Sequence, residues 1–539
     1  MITTRLFQLS PLIVAFAAAA CATPRVATVP VPAAAPAVAP PVVMRAPVPE
    51  VNPALPEVPH VSGPLEIKVV YPPAGQLIQS RDSNFVFGSV GNGDAGLTIN
   101  GVLTPVWPNG AFMAWLPNPP ATAPQYEIVV TTGLDTARLV HPVKIAGPPT
   151  APPPPPDTVV TMSPARYASL IGPATYPSDT DRVVTGYAVT GGIQRWFLIP
   201  GTVVKVVGTK GSDAYVQLDT MQTIRIAQSD LTMLDSAAAA PKPLRASSFR
   251  LRNAPEWTDV VIRMTERPAY LVEEGDSALT LTLYGTKGPI RRQKPVRAAA
   301  GSYVTTVSAA AAGPEMQYTI ALRGPVYGYQ PLWEDGKLTF RVRCPPRVDP
   351  TSPLLGLTIA VDAGHPPVGA TGPTGLWEPV PTLEVGLKVR ELLQAKGVNV
   401  VMTRTTSDPV DLNLRPTMAR RANANALVSI HLNAVPDGIN PLRVNGTATY
   451  HYHLHSAPLA EAMERALVAQ MALRHNGVKR ENFALVRPTW MPAVLVEGAF
   501  IIVPDQEAAL RNPEYQQRYA QGIVDGLENY FRSLGAAGR

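Results

Sequence analysis

The sequence has almost no cysteine. Its 539 residues contain 2, Cys21 and Cys344. Cys21 stands directly behind an N-terminal apolar stretch. Once that stretch is processed, the mature chain has no pair from which to form an internal disulfide. Cys344 is read as a small apolar filler at a strand end. Long apolar runs are missing as well: the stretch from Leu12 to Ala20 falls short of the roughly 20 residues that a membrane-spanning helix needs. A basic cluster is also lacking. The net charge of +6 is spread along the chain. That suits an anionic polymer or a membrane surface and leaves no footprint for nucleic acid.

Proline, by contrast, is abundant. The 60 prolines far exceed the usual share of about 5%, and they cluster, as linkers between modules do. The length suggests roughly three to four domains. At the N-terminus, "MITTRLFQLSPLIVAFAAAACATP" carries Arg5, then the apolar stretch, then small residues, the pattern of a secretory signal. Ala18-Ala19-Ala20-Cys21 resembles a bacterial lipoprotein signal, with Ala18 in place of the usual leucine. The resemblance implies that residues 1–21 form a signal ending in a lipidation cysteine, Cys21. It also implies export to the periplasm or cell envelope and anchoring to a membrane by lipid. Residues 22–60, rich in Ala, Pro and Val, are expected to be an extended tether.

Three all-β modules are predicted next. Residues 61–147 alternate short apolar runs with "GNGDAG" and "PNG" turns, as in a β-sandwich, and resemble bacterial immunoglobulin-like modules. Residues 148–157 form a Pro-rich linker. Residues 158–236 read as a small barrel of five short strands that looks like the bacterial Src-homology type. Residues 245–347 alternate strongly and resemble the AMIN modules that accompany cell-wall amidases. These modules offer a surface for a protein regulator of the envelope.

After residue 353 the periodicity changes to a mixture of 2 and 3.6. "GLTIAVD", "VNVVMTR", "ALVSIHLNA" and "AVLVEGAF" read as buried strands with helical patterns between them. The expected fold is an α/β domain, residues 354–534, with a mostly parallel sheet. Three strand ends finish in ligand-type residues: His365, His431 and Glu497. In such sheets the functional crevice lies outside the carboxyl ends of the strands. The loop carboxylate Glu378 can fold back to join them, with Glu384 on the following helix as its rival. Two imidazoles and a carboxylate suit a catalytic zinc site, a further glutamate can act as base, and Asp362 can orient a ligand.

The segments "VDAGHPPVGATGPTGLWE", "ELLQAKGVNVVMTR", "LRPTMARRANANALVSIHLNA", "GTATYHYH" and "PAVLVEGAF" resemble, in family order, the zinc-dependent N-acetylmuramoyl-L-alanine amidases of the type-3 family. The resemblance implies zinc ligands His365, Glu378 and His431, with catalytic Glu497. It implies peptidoglycan as substrate, cut between N-acetylmuramic acid and the L-alanine of the stem peptide. The family's register favours Glu378 over Glu384. The chain departs from the pattern at Pro366-Pro367, where Gly-Gly is usual, and at Glu378-Pro379, where Glu-Lys is usual. It departs again at Leu432-Asn433 and at "FIIVPD". Asn433, His453, His455 and Arg415 are candidate substrate contacts. On a strand His451, His453 and His455 share one face and are expected to line the cleft rim; a second metal site is the alternative. No insert resembling an autoinhibitory helix stands between His431 and Glu497. The other functions to separate from the amidase are a non-catalytic wall-binding adaptor and a zinc peptidase acting within the stem peptide.

Overall fold

The C-terminal domain is built on a six-stranded sheet. In chain order its elements are β1 (Thr358–Ala363), α1 (Pro379–Ala395), β2 (Asn399–Met402), α2 (Leu414–Arg421), β3 (Ala426–Asn433), β4 (Thr447–His451), α3 (Ala457–Met471), β5 (His475–Arg480), β6 (Ala493–Phe500), α4 (Pro504–Leu510) and α5 (Pro513–Ala537). The strand order is β2-β1-β3-β6-β4-β5. Strands β2, β1, β3 and β6 pair in parallel, β4 runs antiparallel to β6, and β5 is parallel to β4. The sheet is therefore mixed. The central strands are apolar on both faces because helices cover both sides. Helix α1 buries Val385, Val389 and Leu393, a stripe at four-residue spacing. Pro379 begins it, where a missing N–H removes no intrahelical bond, and Gly397, at φ 76°, follows its end in the left-handed conformation that glycine accepts most easily.

This computed structural model describes residues 43–49, 52–80, 82–133, 135–146, 159–171, 183–235, 243–289 and 294–537. The predicted signal, Cys21 and the Pro-rich linker 148–157 lie outside the described residues. Among those described, no helix is long and apolar enough to cross a membrane. From Val43 onward the chain forms one compact unit.

The first β region is a sandwich. Strands Lys68–Tyr71, Ser83–Ser89 and Ala111–Pro117 form one sheet; Val102–Thr104, Gly96–Ile99, Gln125–Thr132 and Asp135–Pro142 form the other. Val86, Phe112, Tyr126 and Ile128 fill the space inside. Because side chains alternate along a strand, Phe85 and Phe87 point out of the sandwich. With Trp107 and Met113 they join the core of the α/β domain instead. Burial of such side chains contributes about 1.5–3 kcal/mol each, so this sheet is apolar on both faces because it packs on both. Asp437, in the loop after β3, adds a polar lock: it accepts hydrogen bonds from Tyr71 Oη, from Gln79 N at 2.8 Å and from Asn84 Nδ2 at 2.8 Å.

Two expectations change here. The tether was expected to run free to residue 60, but Leu55 and Val58 are buried in the α/β core. Asn52 Nδ2 donates to Ala472 O at 2.6 Å, and Arg518 Nη1 donates to Ala54 O at 2.9 Å. Farther back, Met44 packs on Gly96 and Arg45 Nη2 pairs with Asp94 Oδ1 at 3.1 Å, so the segment is docked from its first described residues. Among its described residues, the region predicted as a five-stranded barrel holds seven strands in one antiparallel sheet, from Arg195–Leu198 at one edge to Leu231–Met233 at the other. Its core is continuous with that of residues 245–347, which form a four-stranded and a five-stranded sheet.

Candidate metal centre and active site

Strand order decides which residues meet. Because β1, β3 and β6 are neighbours, the segments following β1 and β3 and the end of β6 open onto one sheet edge. His431 lies opposite Glu497 in the β3–β6 register. His365 follows β1 at φ 60°, a conformation that histidine adopts more readily than most residues but still at some strain. Gly364 before it is required by space: a Cβ there would lie 2.6 Å from His431 Cε1 and 2.6 Å from Ile430 O.

His365, Glu378 and His431 converge, with one ligand atom from each within 4.8 Å of the others. His365 Nε2 is 3.2 Å from Glu378 Oε2, and His431 Nδ1 is 3.2 Å from Glu378 Oε1. A tetrahedral zinc with bonds of about 2.05 Å has ligand–ligand edges of ~3.3 Å, so these separations fit such an ion. Both oxygens of Glu378 are also held by backbone: Ala370 N donates to Oε2 at 2.9 Å and Leu432 N to Oε1 at 3.0 Å. Burial pushes the Glu378 carboxyl up, but hydrogen bonds and charge from the two imidazoles outweigh it and hold the group well below the usual carboxylate range. Glu384, its rival in the sequence, instead accepts a hydrogen bond from Gln516 Nε2 at 2.6 Å on α5.

Glu497 is perturbed in the other direction. Its Oε2 is buried and has no hydrogen-bond partner among the described residues. Burial first, and the negative charge of Glu378 second, raise its carboxyl well above the usual value. A buried carboxylate oxygen without a partner is unfavourable, and a nearby cation relieves it. Two carboxylates whose surroundings push them apart are what acid–base chemistry uses.

Around these groups lies a scaffold. Arg415 is buried. Its Nη1 donates to Asp362 Oδ1 at 2.9 Å and Ala363 O at 3.0 Å, and its Nη2 to His365 O at 2.9 Å and Pro366 O at 3.2 Å. Arg415 was expected to touch substrate; it clamps the His365 loop from beneath instead. Asp362 reaches that loop through Arg415, and Thr403 and Ser429 donate to its carboxylate as well. Arg404 donates to the carbonyls of Ala363 at 2.8 Å, Gly364 at 3.0 Å and Pro379 at 2.8 Å.

Other supports were not foreseen from sequence. Glu507 on α4 is fully buried and accepts from Thr374 N and Leu376 N, each at 3.0 Å, fixing the loop that carries Glu378. Tyr519 on α5 donates to His431 O at 3.0 Å and accepts from Gly498 N at 2.9 Å. Its ring lies 2.2 Å from where a Cβ on Gly498 would stand, which explains the glycine after Glu497. Neither residue has a local signature, since each acts on chain far away in sequence.

His453 and His455 are also corrected. They do not line the crevice of His365, Glu378 and His431. Both are buried and face Glu274 of the accessory region, with His455 Nδ1 2.9 Å from Glu274 Oε1. Residue His455 lies in a short 3-10 turn after β4, so the alternation of a strand does not continue that far. Asn433, two residues beyond His431, is half-buried at the end of β3.

Comparison with known proteins fits this geometry. A family profile described as N-acetylmuramoyl-L-alanine amidase matches residues 359–529. N-acetylmuramoyl-L-alanine amidase LytC of Bacillus subtilis (strain 168) is 35% identical over 187 residues, 34% of this chain and 37% of that protein. This chain thus spans about a third of that relative's length. The uncharacterized protein YqiI of the same organism is 33% identical over 192 residues, 34% of this chain and 90% of that protein. Among solved structures, the catalytic domain of CwlV, an N-acetylmuramoyl-L-alanine amidase from Bacillus (Paenibacillus) polymyxa var. colistinus, is 34% identical. It covers 32% of this chain and 97% of its own, with a TM-score of 0.31. Through its C-terminal third, which covers nearly all of YqiI, the chain belongs to the N-acetylmuramoyl-L-alanine amidase family.

Proposed function

We propose that this protein hydrolyses peptidoglycan at the amide between the lactyl group of N-acetylmuramic acid and the L-alanine of the stem peptide. The observation that carries the reading is the opposition of Glu378, anchored and held ionised, to Glu497, half-buried with one buried, unpartnered oxygen. His365, Glu378 and His431 would hold zinc. An ion there would supply Lewis acidity for water and a carbonyl.

The chain's own residues supply the rest. The backbone bonds to Glu378 keep its oxygens oriented towards the two imidazoles. Arg415 and Arg404 hold the carbonyls of residues 363–366, so the His365 ring keeps its place. The Glu497 carboxylate takes a proton from the attacking water and delivers it to the L-alanine nitrogen, because an amide anion is a poor leaving group. Asn433, opposite Phe500 in the β3–β6 register, remains the candidate for a substrate contact. Lipidation at Cys21, with a tether ending by Met44, which packs on Gly96, would hold the enzyme at a membrane of the cell envelope.

Digestion of purified peptidoglycan by the full chain, followed by mass analysis, tests the proposal. Intact glycan with free stem peptides beginning at L-alanine is expected. Fragments cut within the stem peptide would make it a peptidase. Wall binding without released fragments would make it an adaptor.

A further inference from the structure

A second set of metal-type ligands lies where the accessory β region meets the amidase domain. Glu274 ends the strand Tyr270–Glu274; His453 and His455 follow β4. One ligand atom of each lies within 4.8 Å of the others. The three side chains are 5%, 8% and 0% exposed for Glu274, His453 and His455. None belongs to the first site.

The hydrogen bonds fix what each ring presents. His453 Nε2 is 2.7 Å from Arg487 O. A carbonyl only accepts, so this nitrogen carries a proton, and in the neutral ring Nδ1 is a bare lone pair. That lone pair faces Glu274 Oε1 at 3.5 Å. Two acceptors confronting each other in a buried place repel. His455 differs: its Nδ1 is 2.9 Å from Glu274 Oε1, the length of an N–H donated to the carboxylate, its Nε2 is 3.4 Å from Met491 O, and its backbone N donates to Glu274 Oε2 at 2.8 Å. Each imidazole thus turns one nitrogen to a carbonyl and the other to the carboxylate. Histidines that bind metal are oriented as His453 is, the outer N–H donated to a carbonyl. The separations of 2.9 and 3.5 Å bracket the ~3.3 Å edge of a tetrahedral zinc site.

We propose that Glu274, His453 and His455 form a second metal site, for a divalent cation of the zinc class, that pins the accessory region to the amidase domain. Two imidazoles and one carboxylate select zinc-like ions over magnesium or calcium, which prefer oxygen. Glu274 and His453 also line a cavity of about 790 Å³ between the modules, which gives the ion an entry path and a fourth position for water. The competing occupant is a proton on His453. The joint has a consequence for catalysis: β4, just before these histidines, pairs with β6 so that Ala448 lies opposite Glu497.

The test is metal content and anomalous diffraction on the zinc-loaded full chain. Two ions per chain are expected, with one anomalous peak between Glu274, His453 and His455. The His453→Ala/His455→Ala double variant and Glu274→Gln should each retain one ion, at the first site. His365→Ala should retain the other, and chelator should still lower its melting temperature. Crystals of the unmodified protein keep the test decisive if a variant fails to fold. A peak at the first site alone overturns the inference and means that the cluster is proton-linked. A peak here alone upholds it and instead removes the metal from the proposed amidase chemistry.

Discussion

Arg415 offers a sharp prediction, because its contacts assign it a place different from the substrate-facing one expected of it. Its guanidinium donates to five acceptors: Asp362 Oδ1 and the carbonyls of Ala363, His365, Pro366 and Val410, at 2.9–3.2 Å. Both it and Asp362 are buried, with side chains 3% and 1% exposed. Arg415→Ala leaves the Asp362 charge without its ionic partner and frees the loop carrying His365. Removing one member of a buried pair costs about 3–5 kcal/mol. At about 2–4 °C per kcal/mol for a domain of this size, the melting temperature should fall by roughly 6–20 °C. Metal affinity should fall about 10–100-fold, as on loss of an outer support to a ligand. Arg415→Lys can replace the charge but not the planar fork, so it should fall between. Thermal unfolding and zinc competition against a chelator measure both effects. Unchanged stability and metal affinity with a raised KM would refute the clamp and return Arg415 to the substrate.

Further outcomes follow from the same geometry. Glu497→Gln should keep its zinc while turnover on a muropeptide falls about 10²–10⁴-fold; loss of metal would recast Glu497 as a ligand. Glu378→Gln should lose zinc and Glu384→Gln should not, by elemental analysis, because Glu384 faces Gln516 rather than the imidazoles. Gly498→Ala should destabilise by about 1–3 kcal/mol in denaturant unfolding, since the added methyl collides with the Tyr519 ring; Tyr519→Phe leaves that ring in place and should not relieve it. Chelation of the whole protein should abolish hydrolysis and zinc should restore it; full activity of verified metal-free protein would end the zinc proposal.

The sequence by itself determined the local elements and the chemistry they can carry. Alternation marked the β modules, and the change to mixed periodicity marked the start of the α/β domain. Apolar runs ending in ligand-type residues were legible because a buried strand and the residues following it are adjacent in sequence. His365, His431 and Glu497 could be picked out that way, and the family's register favoured Glu378 over Glu384. Only the tertiary structure decided how these elements meet. Strand order placed β1, β3 and β6 side by side. It made Phe85 and Phe87 a docking face rather than an exposed one, and it seated Leu55 and Val58 in a distant core. It turned Arg415 inward and gave His453 and His455 a partner, Glu274, that lies far earlier in the chain. Glu507 and Tyr519 were invisible for the same reason. Periodicity records which face of an element is buried, whereas hydrogen bonds between remote segments depend on which faces are brought together.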